Sequence, residues 1–122
     1  MILKMIDRGF SICKVKGLSN IDLNREFTFV SRTDEECSLV CPTEHVPSDT
    51  IERNDGWKAF RIQGTLGLSL IGILSGISGI LAENGIGIFA ISTFDTDYIL
   101  TKEESFQRAM DVLTENGYSV VD

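Results

Sequence analysis

Basic residues are scarce in this chain. It carries 11 Lys and Arg against 18 Asp and Glu, a net charge of −7 over 122 residues. The bases are not clustered, so no basic patch is available to meet a phosphate backbone, and no nucleic-acid partner is expected. The acids are dispersed as well, 10 in residues 1–56 and 8 in residues 57–122, and form no acidic tail. Cysteine is sparse and odd in number. Cys13, Cys37 and Cys41 do not make a disulfide framework; they read as buried, reduced thiols of a cytoplasmic protein. The opening "MILKMIDRGF" brings in charge too early and too often for a signal peptide.

The parts of a catalytic site are equally thin. Histidine occurs once, at position 45. Neither Gly-x-Ser-x-Gly nor Gly-x-x-x-x-Gly-Lys-Ser/Thr is present. Cys37, Cys41 and His45 lack a fourth metal ligand, and Pro42 separates Cys41 from His45 in a strand-end region. Asp95 and Asp97 would share one face of a strand, but too few oxygen ligands surround them to hold a hard cation. No catalytic residue, no metal and no cofactor is therefore expected, and the chain does not read as an enzyme. One uncharged run, Ile62 to Ala82, has the length of a membrane span at 21 residues. Five of these are Gly, four are Ser or Thr and one is Gln, and no Lys or Arg cluster follows, so no span is expected.

What is present is a regular pattern in the second half. Trp57 to Gln63 alternates into a short strand, and residues 64–69 form a glycine-bearing loop. The apolar positions from Leu70 to Asn84 follow the helical period, with Ser69 as a candidate N-cap and Gly85 as the stop. The other face of that helix, Gly72, Ser75, Gly76 and Gly79, is small enough to pack closely on a sheet or a partner helix. Strands over 86–92 and 97–101, a second helix over 102–116 ended by Gly117, and a strand over 118–121 complete the series. The order β-α-β-β-α-β predicts an α+β, ferredoxin-like sheet.

The first half holds a partial copy. "FVSRTDEECSLVCPTE" (29–44) sets against "AISTFDTDYILTKEE" (90–104) with one extra residue, placing Ser31 on Ser92, Asp34 on Asp95, Leu39–Val40 on Ile99–Leu100 and Glu44 on Glu104. Upstream, Gly17 of "VKG" matches Gly64 of "IQG". The first copy lacks a helix-length segment between these matches. The chain thus predicts two units, a truncated one over 1–56 without its first helix and a complete one over 57–122. The boundary falls near the turn-forming triplet Asn54-Asp55-Gly56.

The string "ISTFDTDYIL" (91–100), preceded by "GIGIF" (85–89), resembles the ACT domain family of small-molecule-binding regulatory modules. The whole chain is similar to short stand-alone bacterial proteins with two tandem ACT units, whose C-terminal unit is related to that of the cytosolic arginine sensors of eukaryotic growth signalling. The resemblance implies ligand binding without chemistry, in a cytoplasmic homodimer with an amino-acid effector and a protein partner still to be identified. It places the ligand between the first strand–helix loop and the second strand, at an interface between units or subunits. In this chain those positions are Thr65, Leu66, Gly67, Leu68 and Ser69 on the loop, and Thr93, Phe94 and Asp97 on the strand. Many relatives carry Pro and Asp in that loop, where this chain has Thr65 and Gly67. Leu70 stands where the arginine sensors carry an acid and cannot pair with a cation, which argues against arginine recognition of that kind. The residues suit an α-amino acid on their own chemistry. Free backbone N–H groups at a helix start attract a carboxylate. Gly67 permits close approach, Asp97 or Asp95 can accept from an ammonium group, Thr93 offers a hydroxyl and Phe94 an apolar wall. The plainer role for Asp95 and Thr96 is side-chain bonding within the turn. A module that only assembles, with no ligand, is the alternative reading.

Overall fold

A computed structural model describes residues 1–63 and 72–122. The chain divides into two compact units, one of residues 1–7 with 57–122 and the other of residues 8–56. Its elements are β1 (Ile2–Lys14), β2 (Phe29–Arg32), β3 (Cys37–Pro42), β4 (Glu52–Ile62), α1 (Ile73–Glu83), β5 (Phe89–Ser92), β6 (Asp97–Lys102), α2 (Glu103–Glu115) and β7 (Ser119–Val121). The α+β class and the ferredoxin-like series β4-α1-β5-β6-α2-β7 agree with the pattern in the sequence.

In the larger unit the strand order is β7-β1-β4-β6-β5. β4 and β6 are antiparallel, with Trp57 opposite Lys102 and Arg61 opposite Tyr98; β5 and β6 are antiparallel, with Phe89 opposite Leu100 and Ser92 opposite Asp97. An additional strand enters from the N-terminus. Ile2–Lys4 pair in parallel with Ser119–Val121, so the start of β1 stands between β7 and β4. Both helices bury their apolar stripes on one core. Ile77 and Leu81 of α1 and Phe106, Ala109, Met110 and Leu113 of α2 meet Leu3, Phe60, Ile62 and Ile99 of the strands. The helices end alike. Gly85 and Gly117 take left-handed φ values of 71° and 94°, and the next residues, Ile86 and Tyr118, donate back to Leu81 and Leu113. Only glycine adopts that conformation without steric cost. The small face of α1 is open to solvent at Gly72, Ser75, Gly76 and Gly79. At Gly76 the hydroxyl of Tyr118 comes close enough that a Cβ would stand 3.4 Å from it.

The smaller unit follows the order β2-β3-β1-β4. A 3₁₀ turn at Thr43–His45 follows β3, and the segment between β1 and β2 contains no helix. Leu18 and Ile21 of that segment pack on Cys13, Val15, Leu39 and Cys41 instead. The triplet Asn54-Asp55-Gly56 is strand rather than turn. Asp55 accepts hydrogen bonds from the Ser11 hydroxyl at 2.6 Å and from the Arg53 guanidinium at 3.1 Å. Its polar side chain is thereby satisfied across the sheet, and β4 runs on through it.

The two hairpins have the same register. Phe29 opposes Val40 and Arg32 opposes Cys37, as Phe89 opposes Leu100 and Ser92 opposes Asp97. Thr33, Leu39 and Val40 therefore hold the places of Thr93, Ile99 and Leu100 without any insertion. The extra residue allowed in the sequence comparison is not needed, and Ser31 corresponds to Ile91 rather than Ser92. Leu81 is fully buried and Phe94 is 78% exposed. Leu81→Ala is expected to lower stability by about 2–5 kcal/mol, and Phe94→Ala to change it by no more than about 0.5 kcal/mol, as measured by urea unfolding.

Candidate functional site at the β5–β6 turn

The turn between β5 and β6 contains no Gly, Pro or Asn, and its geometry explains why. Among the described residues only Phe27 combines a side chain with a left-handed φ, so residues 93–96 need no glycine. The loop is closed by threonine. The Thr93 N–H donates to the Thr96 carbonyl at 2.8 Å and the Thr93 hydroxyl donates to the same oxygen at 2.9 Å. The hairpin of the smaller unit is closed in the same way, with Thr33 donating to Glu36 through its N–H at 2.8 Å and its hydroxyl at 3.3 Å. The polar composition of the turn is therefore partly structural, as expected for side-chain-to-backbone bonding.

One bond reaches further. The Thr96 hydroxyl donates to the carbonyl of Ile62 at 2.6 Å. Ile62 is the last residue of β4 and Gln63 follows it, so the tip of the hairpin is tied to the point where the chain leaves the sheet towards residues 64–71. Sequence reasoning had Thr96 as a turn former only, because its partner lies 34 residues away and becomes a neighbour only when β4 pairs with β6.

The candidate residues then take these places. Thr65, Leu66, Gly67, Leu68 and Ser69 lie outside the described residues, and α1, which begins at Ile73, has Gly72 rather than the expected Ser69 at its N-cap. Thr93 uses its hydroxyl within the turn, and Phe94 projects into solvent. Asp97 is partly buried, and its Oδ1 accepts from the Ser92 hydroxyl at 2.6 Å across the strand pair. Alternation along β6 puts Asp97 on the face of Ile99, which packs in the core with Ile77 and Leu81 of α1. The carboxylate therefore lies on the side of the sheet that α1 covers. Tyr98 points the other way, where its hydroxyl accepts from Arg61 at 3.1 Å. Arg61 also donates to the Gln63 side chain at 3.2 Å. This nearby cation is on the opposite face from Asp97.

The thiols and the histidine belong to the smaller unit. Cys13, Cys37 and Cys41 are free and buried. Cys41 and His45 line one small pocket of about 100 Å³ with Asp22 and Arg25. Burial, reinforced by the neighbouring Cys13, pushes the Cys41 thiol up to about 11. A thiol that is protonated at neutral pH is a poor nucleophile. Among the described residues no three His, Cys, Asp or Glu side chains are grouped to hold a metal ion, and no helix is long and apolar enough to cross a membrane.

Comparisons with known proteins bear on the fold. The family model described as ACT domain matches residues 52–115. A crystal structure of a protein from Agrobacterium tumefaciens is 31% identical, with a TM-score of 0.86, over 98% of this chain and 91% of that one. A Vibrio cholerae protein of unknown function is 24% identical, with a TM-score of 0.71, over 91% of this chain and 85% of that one. The aspartokinase α and β subunits are 16% identical, with a TM-score of 0.63, over 94% of this chain and 96% of that one. The last two share the fold. No curated protein matches in sequence.

The raised thiol has a consequence for stability. Ionisation of Cys41 in the unfolded chain begins near its ordinary value of 9.0, whereas the folded thiol resists it until about 11. The resulting stability is intact below about pH 9 and is lost as pH rises towards 11. Urea unfolding followed from pH 8 upward is expected to show this decline, and Cys41→Val to flatten it.

Proposed function

The chain belongs to the ACT domain family, and on that footing we propose that it is a non-enzymatic regulatory protein of the cytoplasm that senses a small molecule, most simply an α-amino acid. The ligand sits between the loop of Thr65, Leu66, Gly67, Leu68 and Ser69 and the strand residues Thr93, Phe94 and Asp97. A second copy of the chain closes over it and makes the functional homodimer. The observation that carries the reading is the bond from Thr96 to the Ile62 carbonyl. It holds the end of β4 beside the turn, while Asp97 faces the side of the sheet on which α1 packs. Backbone N–H groups at the loop then take the ligand carboxylate, and Asp97, already polarised by Ser92, takes the ammonium group. The exposed Phe94 supplies apolar surface to the ligand or to the second copy.

The tandem arrangement is part of the same proposal. Residues 1–56 are a stripped copy of 57–122, supported by the matching registers of the two hairpins and by their shared threonine-closed turns. Kinship with the arginine sensors rests on the motif Ile91–Leu100, and Leu70 points to a different effector. The bound protein signals through a protein partner that reads its surface. The solvent-open face Gly72, Ser75, Gly76 and Gly79 favours the second reading, an assembly module without ligand.

A thermal-shift screen of the twenty amino acids separates these readings. A sensor is stabilised by one or a few of them, by about 2.7 kcal/mol at a ligand concentration one hundred times Kd. Asp97→Ala is expected to weaken that binding by about 1.5–3 kcal/mol and to leave the ligand-free melting temperature near the wild-type value. A mutant that responds normally removes Asp97 from the site. Silence across the screen, with a dimer in sedimentation, selects the assembly reading.

A further inference from the structure

The larger unit contains a hollow away from the β5–β6 turn. It is a cavity of about 440 Å³ lined by Met5, Ile6 and Asp7 of β1, Lys58 of β4, Phe106 and Gln107 of α2, and Asp122. Lys58 is paired with Thr101, whereas the turn lies beside Ile62 at the far end of β4. Four residues of strand set the two places about 13 Å apart. The cavity depends on the additional strand. β7 stops at Val121 while β1 continues past Lys4, so Met5 to Asp7 extend beyond the last paired residue of β7.

The lining is chemically complete for one class of ligand. Its volume falls within the range of sites for small molecules. Among the described residues no ion pair joins the Lys58 ammonium to a carboxylate, and it rests 5.9 Å above the Phe106 ring. Asp7, also on the wall, is exposed, and among the described residues no ion pair joins it to Lys58 or to another cation. One cation, Lys58, and two acids, Asp7 and Asp122, line one hollow, and among the described residues no ion pair joins Lys58 to either; beside them stands an apolar wall of a thioether, an isoleucine and a ring. A polarisable thioether and an aromatic face suit a flat apolar group.

We propose that this cavity is a second binding site, for an α-amino acid with an aromatic or similarly bulky apolar side chain. The ligand carboxylate pairs with Lys58, its ammonium group with Asp7, and its side chain lies against Met5, Ile6 and Phe106. The site is separate from the one at Asp97, and its test is built to tell the two apart.

The test uses the full chain labelled with ¹³C at the methionine methyls. Met1, Met5 and Met110 are the three methionines, and of these only Met5 lines the cavity. L-phenylalanine is expected to move the Met5 methyl upfield saturably, because the methyl meets the ring face. 3-Phenylpropionate, which lacks the ammonium group, and phenethylamine, which lacks the carboxylate, are each expected to bind at least about tenfold more weakly. Lys58→Met and Asp7→Asn are each expected to raise the Kd for L-phenylalanine at least about tenfold. Lys58→Met keeps the apolar stem over Phe106, and Asp7→Asn changes an exposed residue; if one variant is poorly folded, the other decides. A Met5 response that persists in Asp97→Ala belongs to this cavity, and a melting-temperature response lost in Asp97→Ala with Met5 unmoved belongs to the turn. The proposal is overturned if Met5 does not move with L-phenylalanine, if either truncated probe binds as tightly, or if both variants respond as the wild type does.

Discussion

Thr96 and Ile62 are far apart in sequence, and the 2.6 Å bond between the hydroxyl of one and the carbonyl of the other makes them neighbours. Ile62 is the last residue of β4, and the side chain of a turn residue donates to its carbonyl. A part-buried carbonyl without a partner would be costly. The same bond stops the β5–β6 hairpin from swinging free at its tip. It thereby sets the distance between the turn and the end of β4.

The rest of the larger unit supports that arrangement. The core formed by Phe60, Ile62, Ile77, Leu81 and Ile99 holds α1 on the Asp97 side of the sheet. Strand alternation then forces Tyr98 and Arg61 to the other side, where they bond to each other. A carboxylate on the helix-covered face and a cation on the outer face are consequences of the two-residue period of β4 and β6, given which residues are apolar. The additional strand from the N-terminus has a comparable effect at the other end of the sheet. It separates β7 from β4 and brings Asp7 into the hollow that Lys58 and Phe106 border.

Much of this was legible in the chain. Helical spacing from Leu70 to Asn84 and the glycines at 85 and 117 located both helices to within a few residues, because burial of one stripe and a left-handed stop leave plain marks. The strand alternation of Trp57 to Gln63 located the exposed and buried faces of β4. Three features were not legible. The triplet Asn54-Asp55-Gly56 has the composition of a turn, and the distant Ser11 hydroxyl that bonds Asp55 in the strand is not visible from it. The pairing of Ile2–Lys4 with β7 joins the two ends of the chain, a contact that no local pattern encodes. In "STFDTD" the composition suggests turn bonding for Asp95 and Thr96 and a ligand for Thr93, Phe94 and Asp97, but not the partner of each side chain. In the fold they divide, with Thr93 and Thr96 holding the turn and Asp97 held by Ser92 on the helix side.

The central claim is that the loop around Gly67 and the carboxylate of Asp97 meet at one ligand. Backbone amide shifts, recorded as the protein is saturated with the amino acid that raises its melting temperature, test it most directly. The account predicts that the amides of Gly67 and Leu68 and the side-chain carboxyl of Asp97 move together, with one dissociation constant. Saturable shifts confined to residues away from both would contradict it.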